Sequence, residues 1–463
     1  MINPAKSESL EHVIDVLAEK HGNEDAITFG RTRLSFRDVR DRTYRVAQQL
    51  TQDGVRPGEM VGVSAQNEIH HFILTLALLR VGVTQVTLAS HDPQDIVSDL
   101  TRRTKCHRVL GDRDVLDSWN TKHPSGTLTE SGVTSARASL LLKTSGTVAR
   151  AKLVPLSWDS LLLQARQHEF YTNSRFMRYA SIEHNNSKRH RLYCFLQGGT
   201  NVFRSTSAHG LTKKDLARSS SSRVDIARSH FSSLLTSREA FQIPAGISIT
   251  VAGSPLPSSL RAAFQETVTE SLFVRYGSTE TGTISIAGPQ DHTVEGAVGK
   301  PLPGVVLDID TELAPIRIKT PGMSTGYFDA TPEQSASFDQ DWFVPGDLGL
   351  LSAHGQLIIV GRNGEAFTLD GVNIFPREIE SVLVTHPAIL EAVVVKKESA
   401  FHDGIPIAFV RLSPRASVSE IELLNWSREK MGLAGPRQIL FVNQFPTTDQ
   451  GKIDLRALRN ASQ

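Results

Sequence analysis

Cysteine is nearly absent: Cys106 and Cys194 are the only two in 463 residues. Two thiols cannot build the disulfide framework of a secreted scaffold, and they fit a reducing compartment without either needing a chemical role. An excess of one charge is lacking too. Lys plus Arg number 50 against 49 Asp plus Glu, a formal net charge of +1, so nothing global favours nucleic acid or a strongly acidic partner. Long apolar runs are missing. The best candidate, residues 72–79, stops at Arg80, far short of the ~20 residues a membrane-spanning helix needs. The first residues, Met1-Ile2-Asn3-Pro4-Ala5-Lys6, hold no apolar signal core, and Ala461-Ser462-Gln463 is not a peroxisomal address. The expectation is a cytoplasmic protein with no membrane span and no nucleic-acid partner. No internal repeat is visible, and the G-x-x-x-x-G-K-[ST] spacing of a Walker A loop does not occur.

What is present is a chain long enough for two or three domains, each with its own core, at an apolar content of 39%. Ser35 can cap a helix with Asp38 three residues on, and Val39, Val46, Ala47 and Leu50 supply its apolar face. Strands near 60–64, 83–88 and 108–110 alternate with helices, one of them near 68–80. The alternation resumes with a helix near 158–168, a strand near 247–252, a helix near 258–267 and a strand near 272–275. This argues for layered α/β sheets. Between Arg204 and Ser232 the pattern weakens, and the serine run 219–222 reads as a solvated loop. From 305 to 360 short β-rich segments separated by Gly, Pro and Asp suggest a small β subdomain. After Gly361-Arg362-Asn363-Gly364 the chain changes to a compact α+β unit, with helices near 376–385 and 418–431 and strands near 392–397 and 405–412. The boundary is therefore set between residues 1–361 and 362–463, with the glycines as a plausible hinge.

The stretch Thr144-Ser145-Gly146-Thr147-Val148-Ala149-Arg150-Ala151-Lys152 follows the apolar run Leu140-Leu141-Leu142. It reads as a hydroxyl-rich loop leaving a buried strand. Backbone N–H groups and hydroxyls in such a loop can surround polyphosphate oxygens while the lysine neutralises charge.

Four further blocks follow in order: Tyr276-Gly277-Ser278-Thr279-Glu280; Gly346-Asp347 with Gly361-Arg362; Gly371-Val372-Asn373-Ile374-Phe375-Pro376-Arg377-Glu378; and Gly451-Lys452. With the loop before them, they resemble the adenylate-forming superfamily of acyl- and aryl-CoA synthetases, carrier-protein adenylation enzymes and luciferases. The resemblance runs from about Leu34 to Arg456. It implies a large N-terminal AMP-binding domain of layered α/β sheets with a small β subdomain, and a mobile C-terminal α+β domain. It also implies ATP, Mg²⁺ and CoA, or a carrier protein's phosphopantetheine acting in trans, as cofactors, and a small carboxylic acid as substrate. On the same resemblance Thr144, Ser145, Gly146, Thr147 and Lys152 grip the phosphates, and Glu280 holds Mg²⁺. Thr279 touches the α-phosphate, Tyr276 with Gly277 stacks on adenine, and Gly253 and Ser254 edge the base pocket. Asp347 and Arg362 bind the ribose. Lys452 bridges carboxylate and α-phosphate oxygens, where transition-state charge accumulates. Rotation at the hinge would then bring the Gly371 loop over the site for thioester formation.

The chain departs from the family pattern in places. Val148, Ala149 and Ala151 replace Thr, Gly and Pro in the phosphate loop, and Gly364, Thr368 and Ala314-Pro315 are unusual. The substrate block Ile182-Glu183-His184-Asn185-Asn186-Ser187-Lys188-Arg189-His190 departs most. Counting back from Gly198-Gly199 sets His184 on the family's gating histidine; read alone, it is a surface histidine in a polar loop. The aspartate that pairs an α-amine is missing there, which counts against an α-amino acid. Polar character also disfavours a long fatty chain, leaving a small or aromatic acid. Acceptors other than CoA stay open, a carrier protein or an amine among them. A degenerate nucleotide-binding protein without ligase activity is the alternative of a different class.

Overall fold

The computed structural model describes residues 8–120, 138–144, 151–204, 211–235, 237, 242–310, 314–369, 372–399, 404–413, 416–448 and 452–462. Most of the chain is built on two sheets. The larger has nine strands, and from one edge to the other its central six are Leu272–Ser278, Ser248–Ala252, Arg223–Ile226, Arg175–Arg178, Thr200–Phe203 and Asp25–Phe29. These six run parallel, with antiparallel strands closing both edges. The smaller has five strands in the order Arg108–Gly111, Met60–Ser64, Thr84–Thr87, Ser139–Lys143 and Leu153–Ser157, antiparallel only at the last pair. Buried parallel sheets need helices on their faces. A single core links Ala26 and Ile27 of the first sheet to Val61, Val63, Leu140 and Leu142 of the second, through Phe36, Leu74 and Phe195 on the helices between them.

Local chemistry explains those helices. Phe36–Gln52 begins on the capping box foreseen at Ser35 and Asp38, and it buries Val39, Val46, Ala47 and Leu50. Glu68–Val81 starts at Asn67, whose side chain accepts from the N–H groups of Ile69 and His70, and stops at Gly82 in the left-handed region. It is buried all round, so its apolar run belongs to a core helix. No helix among the described residues is long and apolar enough to cross a membrane.

Three segments differ from the reading of the sequence. From Leu211 onward the weakly patterned stretch holds regular elements: helix Lys213–Arg218, strand Arg223–Ile226 and helix Arg228–Leu235. That strand lies inside the sheet, and its Asp225 is buried between Arg178 (2.8 Å) and Arg275 (2.6 Å). A charged residue at a core position hides the strand's pattern. Nor is the serine run a purely solvated loop, since Ser221 is buried and the Ser222 hydroxyl accepts from the N–H of Arg175. Secondly, the chain returns from the phosphate-loop segment as the antiparallel strand Leu153–Ser157. The loop therefore closes a hairpin, with the Thr144 N–H donating to the carbonyl of Lys152 at 2.9 Å. Thirdly, the polar substrate block is not a surface loop. It opens the helix Asn185–Leu196, on which every residue from Ser187 to Leu196 is buried.

The β-rich region foreseen near 305–360 forms a four-stranded antiparallel sheet and the hairpin Asp347–Leu351/Leu357–Arg362. Beyond it, Ile389–Lys397, Ile405–Leu412 and Gln438–Phe441 make a three-stranded sheet. Alternate residues serve opposite faces of this sheet. Ala392, Val394 and Ala408 pack on the helices Pro376–Leu383 and Glu420–Met431, while Val393, Val395 and Phe409 pack on Phe445 and Leu458.

Candidate active site

Asp347 and Arg362 sit opposite each other in the register of their hairpin. The Arg362 Nε lies 3.8 Å from Asp347 Oδ1, and the Tyr276 hydroxyl donates to Asp347 Oδ2 at 2.5 Å. Burial, and then the carboxylate beside it, push the Tyr276 phenol well above its ordinary range. It is a neutral donor at any physiological pH, so one oxygen of Asp347 is committed to protein and the other faces Arg362. The next residue after Tyr276 must be small: a Cβ on Gly277 would meet the Gly282 carbonyl oxygen at 2.2 Å.

Glu280 is buried at the end of the same strand-and-turn unit. Its Oε1 accepts from the Tyr327 hydroxyl at 2.7 Å, and Lys152 Nζ approaches that hydroxyl at 3.4 Å and the ring centroid at 4.7 Å. A lysine at the foot of the phosphate hairpin and a buried carboxylate therefore share one phenol. Tyr327 was not singled out in the sequence; Gly326-Tyr327 carries no motif of its own, and the bridge Leu153–Phe328 brings it to the hairpin. Arg103 was missed for the same reason. It clamps Asp329 through two contacts at 2.9 and 2.8 Å while donating to the Ala151 carbonyl at 2.8 Å.

The turn at Ser278 and Thr279 is held from behind by a residue no motif marks. Arg189, on the Asn185–Leu196 helix, donates from Nη1 to the Thr279 carbonyl at 2.9 Å and from Nη2 to the Ser278 carbonyl at 3.1 Å. With both carbonyls turned toward a guanidinium, this half-buried polar turn has these two backbone acceptors satisfied. His184 is the N-cap of that helix, its ring 4.6 Å from the His91 ring. Asn185 donates to the Lys143 carbonyl at 2.6 Å, which ties the start of the helix to the strand leading into the phosphate hairpin.

Lys452 completes the cluster. The backbone pairs Thr448 N–H with the Lys452 carbonyl at 2.8 Å, so the chain turns back at this point. The side chain reaches Gly253, where an added Cβ would stand 3.0 Å from Lys452 Cε and 3.9 Å from Nζ. Burial and the neighbouring Arg362 lower the Lys452 pKa, and Glu280 opposes the shift. Arg362 and Glu280 thus both act on the charge of this ammonium, in opposite senses. Ser254 follows Gly253 at the edge of this contact.

The structure thus brings together Lys152, Gly253, Ser254, Tyr276, Gly277, Thr279, Glu280, Asp347, Arg362 and Lys452, with His184 at the start of the adjoining helix. Ser145, Gly146, Thr147 and Gly371 lie outside the described residues. Among the described residues no three His, Cys, Asp or Glu side chains converge as a metal cage.

Comparison with known proteins gives the same picture. The family model described as AMP-binding enzyme matches residues 14–328, and that of the AMP-binding enzyme C-terminal domain matches residues 378–452. The 2-succinylbenzoate–CoA ligase of Listeria monocytogenes is 23% identical over 463 residues, spanning 94% of this chain and 96% of the relative. Among solved structures, the o-succinylbenzoate CoA synthetase of Bacillus subtilis with its acyl-adenylate intermediate superposes with a TM-score of 0.80 at 22% identity, covering 96% of this chain and 97% of that one. The amide bond synthetase of Marinactinospora thermotolerans superposes with a TM-score of 0.83 at 21% identity, covering 98% and 99%.

Proposed function

The chain belongs to the AMP-binding enzyme family, and on that premise we propose that it is an AMP-forming acid–thiol ligase. A carboxylate oxygen attacks the α-phosphorus of ATP, giving an acyl-adenylate and pyrophosphate. The thiolate of CoA then attacks the acyl carbon, and AMP leaves as the thioester forms. The observation that carries this reading is the meeting of Lys452 with Gly253, Arg362 and Glu280. It assembles a cation where two anionic reactants must approach, which is the largest single demand of the first step.

In this reading Asp347 receives the ribose hydroxyls, Tyr276 carries the adenine, and Lys152 with the hairpin loop holds the outer phosphates. Thr279 contacts the α-phosphate. Glu280 is the carboxylate that would hold Mg²⁺. A single protein carboxylate suits an ion carried mainly by phosphate oxygens and water; when bound, it would neutralise phosphate charge. Ser145, Gly146 and Thr147 extend the phosphate grip, and Gly371 would line the pantetheine path. The domain boundary proposed is 1–361 and 362–463, the second domain rotating between the two half-reactions.

For the acid we propose an aryl or small acid, with 2-succinylbenzoate, the acid in the relatives' names, as the first candidate. Support comes from the polar block 182–190 around His184, whose character is unsuited to a long alkyl chain. An amine acceptor has a precedent in the amide bond synthetase fold, and an acceptor panel distinguishes it. A cytoplasmic location and the lack of a nucleic-acid partner belong to the same proposal.

The test is Mg²⁺-dependent ATP/pyrophosphate exchange across a panel of aryl and short-chain acids, followed by CoA, pantetheine or amine as acceptor. Exchange with one acid class, lowered at least a hundredfold in Lys452→Ala while ATP binding changes only a few-fold, supports the reading. ATP binding without exchange on any acid would favour the degenerate nucleotide-binding alternative.

A further inference from the structure

We propose that Arg228 and Glu391 form a docking latch that holds the C-terminal region in the orientation delivering Lys452 to the site. The inference rests on the ligase reading, in which that region must dock for adenylation and leave for thioester formation.

Glu391 stands at a register break in the strand Ile389–Lys397 and is 2% exposed. Its Oε1 is 3.2 Å from Arg228 Nη2 and accepts from the Ser232 hydroxyl at 2.9 Å; both partners lie on the helix Arg228–Leu235 beside the nine-stranded sheet. Its Oε2 is 3.0 Å from Arg411 Nη1, on the neighbouring strand of its own sheet. One buried carboxylate therefore joins two guanidiniums across the boundary between the regions.

Arg228 also donates, through Nη1, to the carbonyl of Pro255. Pro255 lies two residues past Gly253, the residue against which Lys452 packs. A short chain of contacts thus runs from Glu391 through Arg228 and the 253–255 turn to Lys452. The surroundings suit a contact that opens. A cavity of about 540 Å³ separates the latch from the Lys452 turn, lined by Ser229, Ser233, Phe445, Thr447 and Ile453 among others. Beside the charge cluster, Leu390 packs on the core of the larger sheet. Burying an ion pair costs desolvation that its attraction only offsets when geometry is good, so such a pair is poised near balance between docked and free. Losing the carboxylate alone would leave two buried cations facing each other.

The test uses the full chain with dyes at Val109→Cys and Ile421→Cys. Both positions are exposed, and the native Cys106 and Cys194 are buried. Single-molecule energy transfer then reports the docked fraction. Arg228→Met is the cleaner variant, because Glu391 keeps its Arg411 partner and the C-terminal region keeps its fold; Glu391→Gln is the second. The expected result is a docked-to-free ratio lowered at least tenfold in both. An unchanged distance distribution overturns the latch. A kinetic arm compares pyrophosphate exchange with 2-succinylbenzoate against CoA thiolysis of synthetic 2-succinylbenzoyl-adenylate. Exchange should fall at least tenfold with thiolysis unchanged; an equal loss of both would overturn the assignment. If the wild-type chain catalyses neither, 2-succinylbenzoate fails as the substrate, the acid panel decides the ligase reading, and the distance distribution still decides the latch.

Discussion

The side chain of Lys452 lies against the backbone of Gly253, leaving 3.0 Å between Cε and the position a Cβ would take. Gly253 also has φ +85°, a conformation that strains any other residue by about 1–2 kcal/mol. Gly253→Ala should therefore displace the lysine. The expected outcome is a roughly tenfold lower rate of pyrophosphate exchange, with thiolysis of preformed adenylate nearly unchanged. In a Lys452→Ala background the same substitution should add little, because both changes act through one contact.

Removing the Tyr276 hydroxyl leaves the ring and takes away one charge-assisted bond to Asp347. At about 1–2 kcal/mol for such a bond, Tyr276→Phe should raise the KM for ATP about 5- to 30-fold, with kcat within about twofold. A fall in kcat with KM unchanged would contradict a ground-state role for the pair.

Arg189 supplies both donors to the carbonyls of Ser278 and Thr279. Arg189→Met would leave these acceptors unpaired, at about 1–3 kcal/mol. Steady-state exchange kinetics should show a roughly tenfold loss in kcat/KM for ATP. Arg189→Lys should recover only part of it, since one ammonium cannot fork to two carbonyls as a guanidinium does.

Lys188 gives the pH prediction. Burial pushes its pKa down to about 7, with Glu183 acting in the opposite direction, and its ammonium nitrogen donates to the Thr87 hydroxyl. Above pH 7 the folded chain carries this amine neutral, while the unfolded chain keeps it protonated up to its ordinary value of 10.5. The unfolded state then binds more protons, so this residue's contribution to stability rises with pH between those values, by roughly 1.4 kcal/mol per unit at most. Below pH 7 both states are protonated and the full cost of a buried cation remains. Denaturant unfolding of Lys188→Met should accordingly gain most over wild type at and below pH 7, and the difference should shrink by pH 9. A difference that does not vary with pH would refute the assignment.

Much of the organisation was legible in the chain itself. The capping box at Ser35 and Asp38, the apolar periodicities, the β-rich stretch near 305–360 and the order of the glycine-marked motifs are local properties. They express themselves over a few residues and need no knowledge of what packs where. Those motifs also carried the family, the fold class and the proposed Lys452, Glu280, Asp347 and Arg362.

Tertiary structure alone decided the rest. The Lys188–Arg191 segment reads as solvated because charge ordinarily stays in water. It is buried because Glu183, Thr87, the turn carbonyls at Ser278 and Thr279, and the carbonyls of Val202 and Arg178 receive its cations. Asp225 likewise hid its strand until Arg178 came to it from the adjacent strand and Arg275 from the next but one. Tyr327, Arg103 and Arg228 meet Glu280, Asp329 and Glu391, partners 47 to 226 positions away. A local pattern reports how a residue meets its neighbours in sequence. Whether a buried charge is compensated depends on groups that only the folded chain brings within a few ångströms.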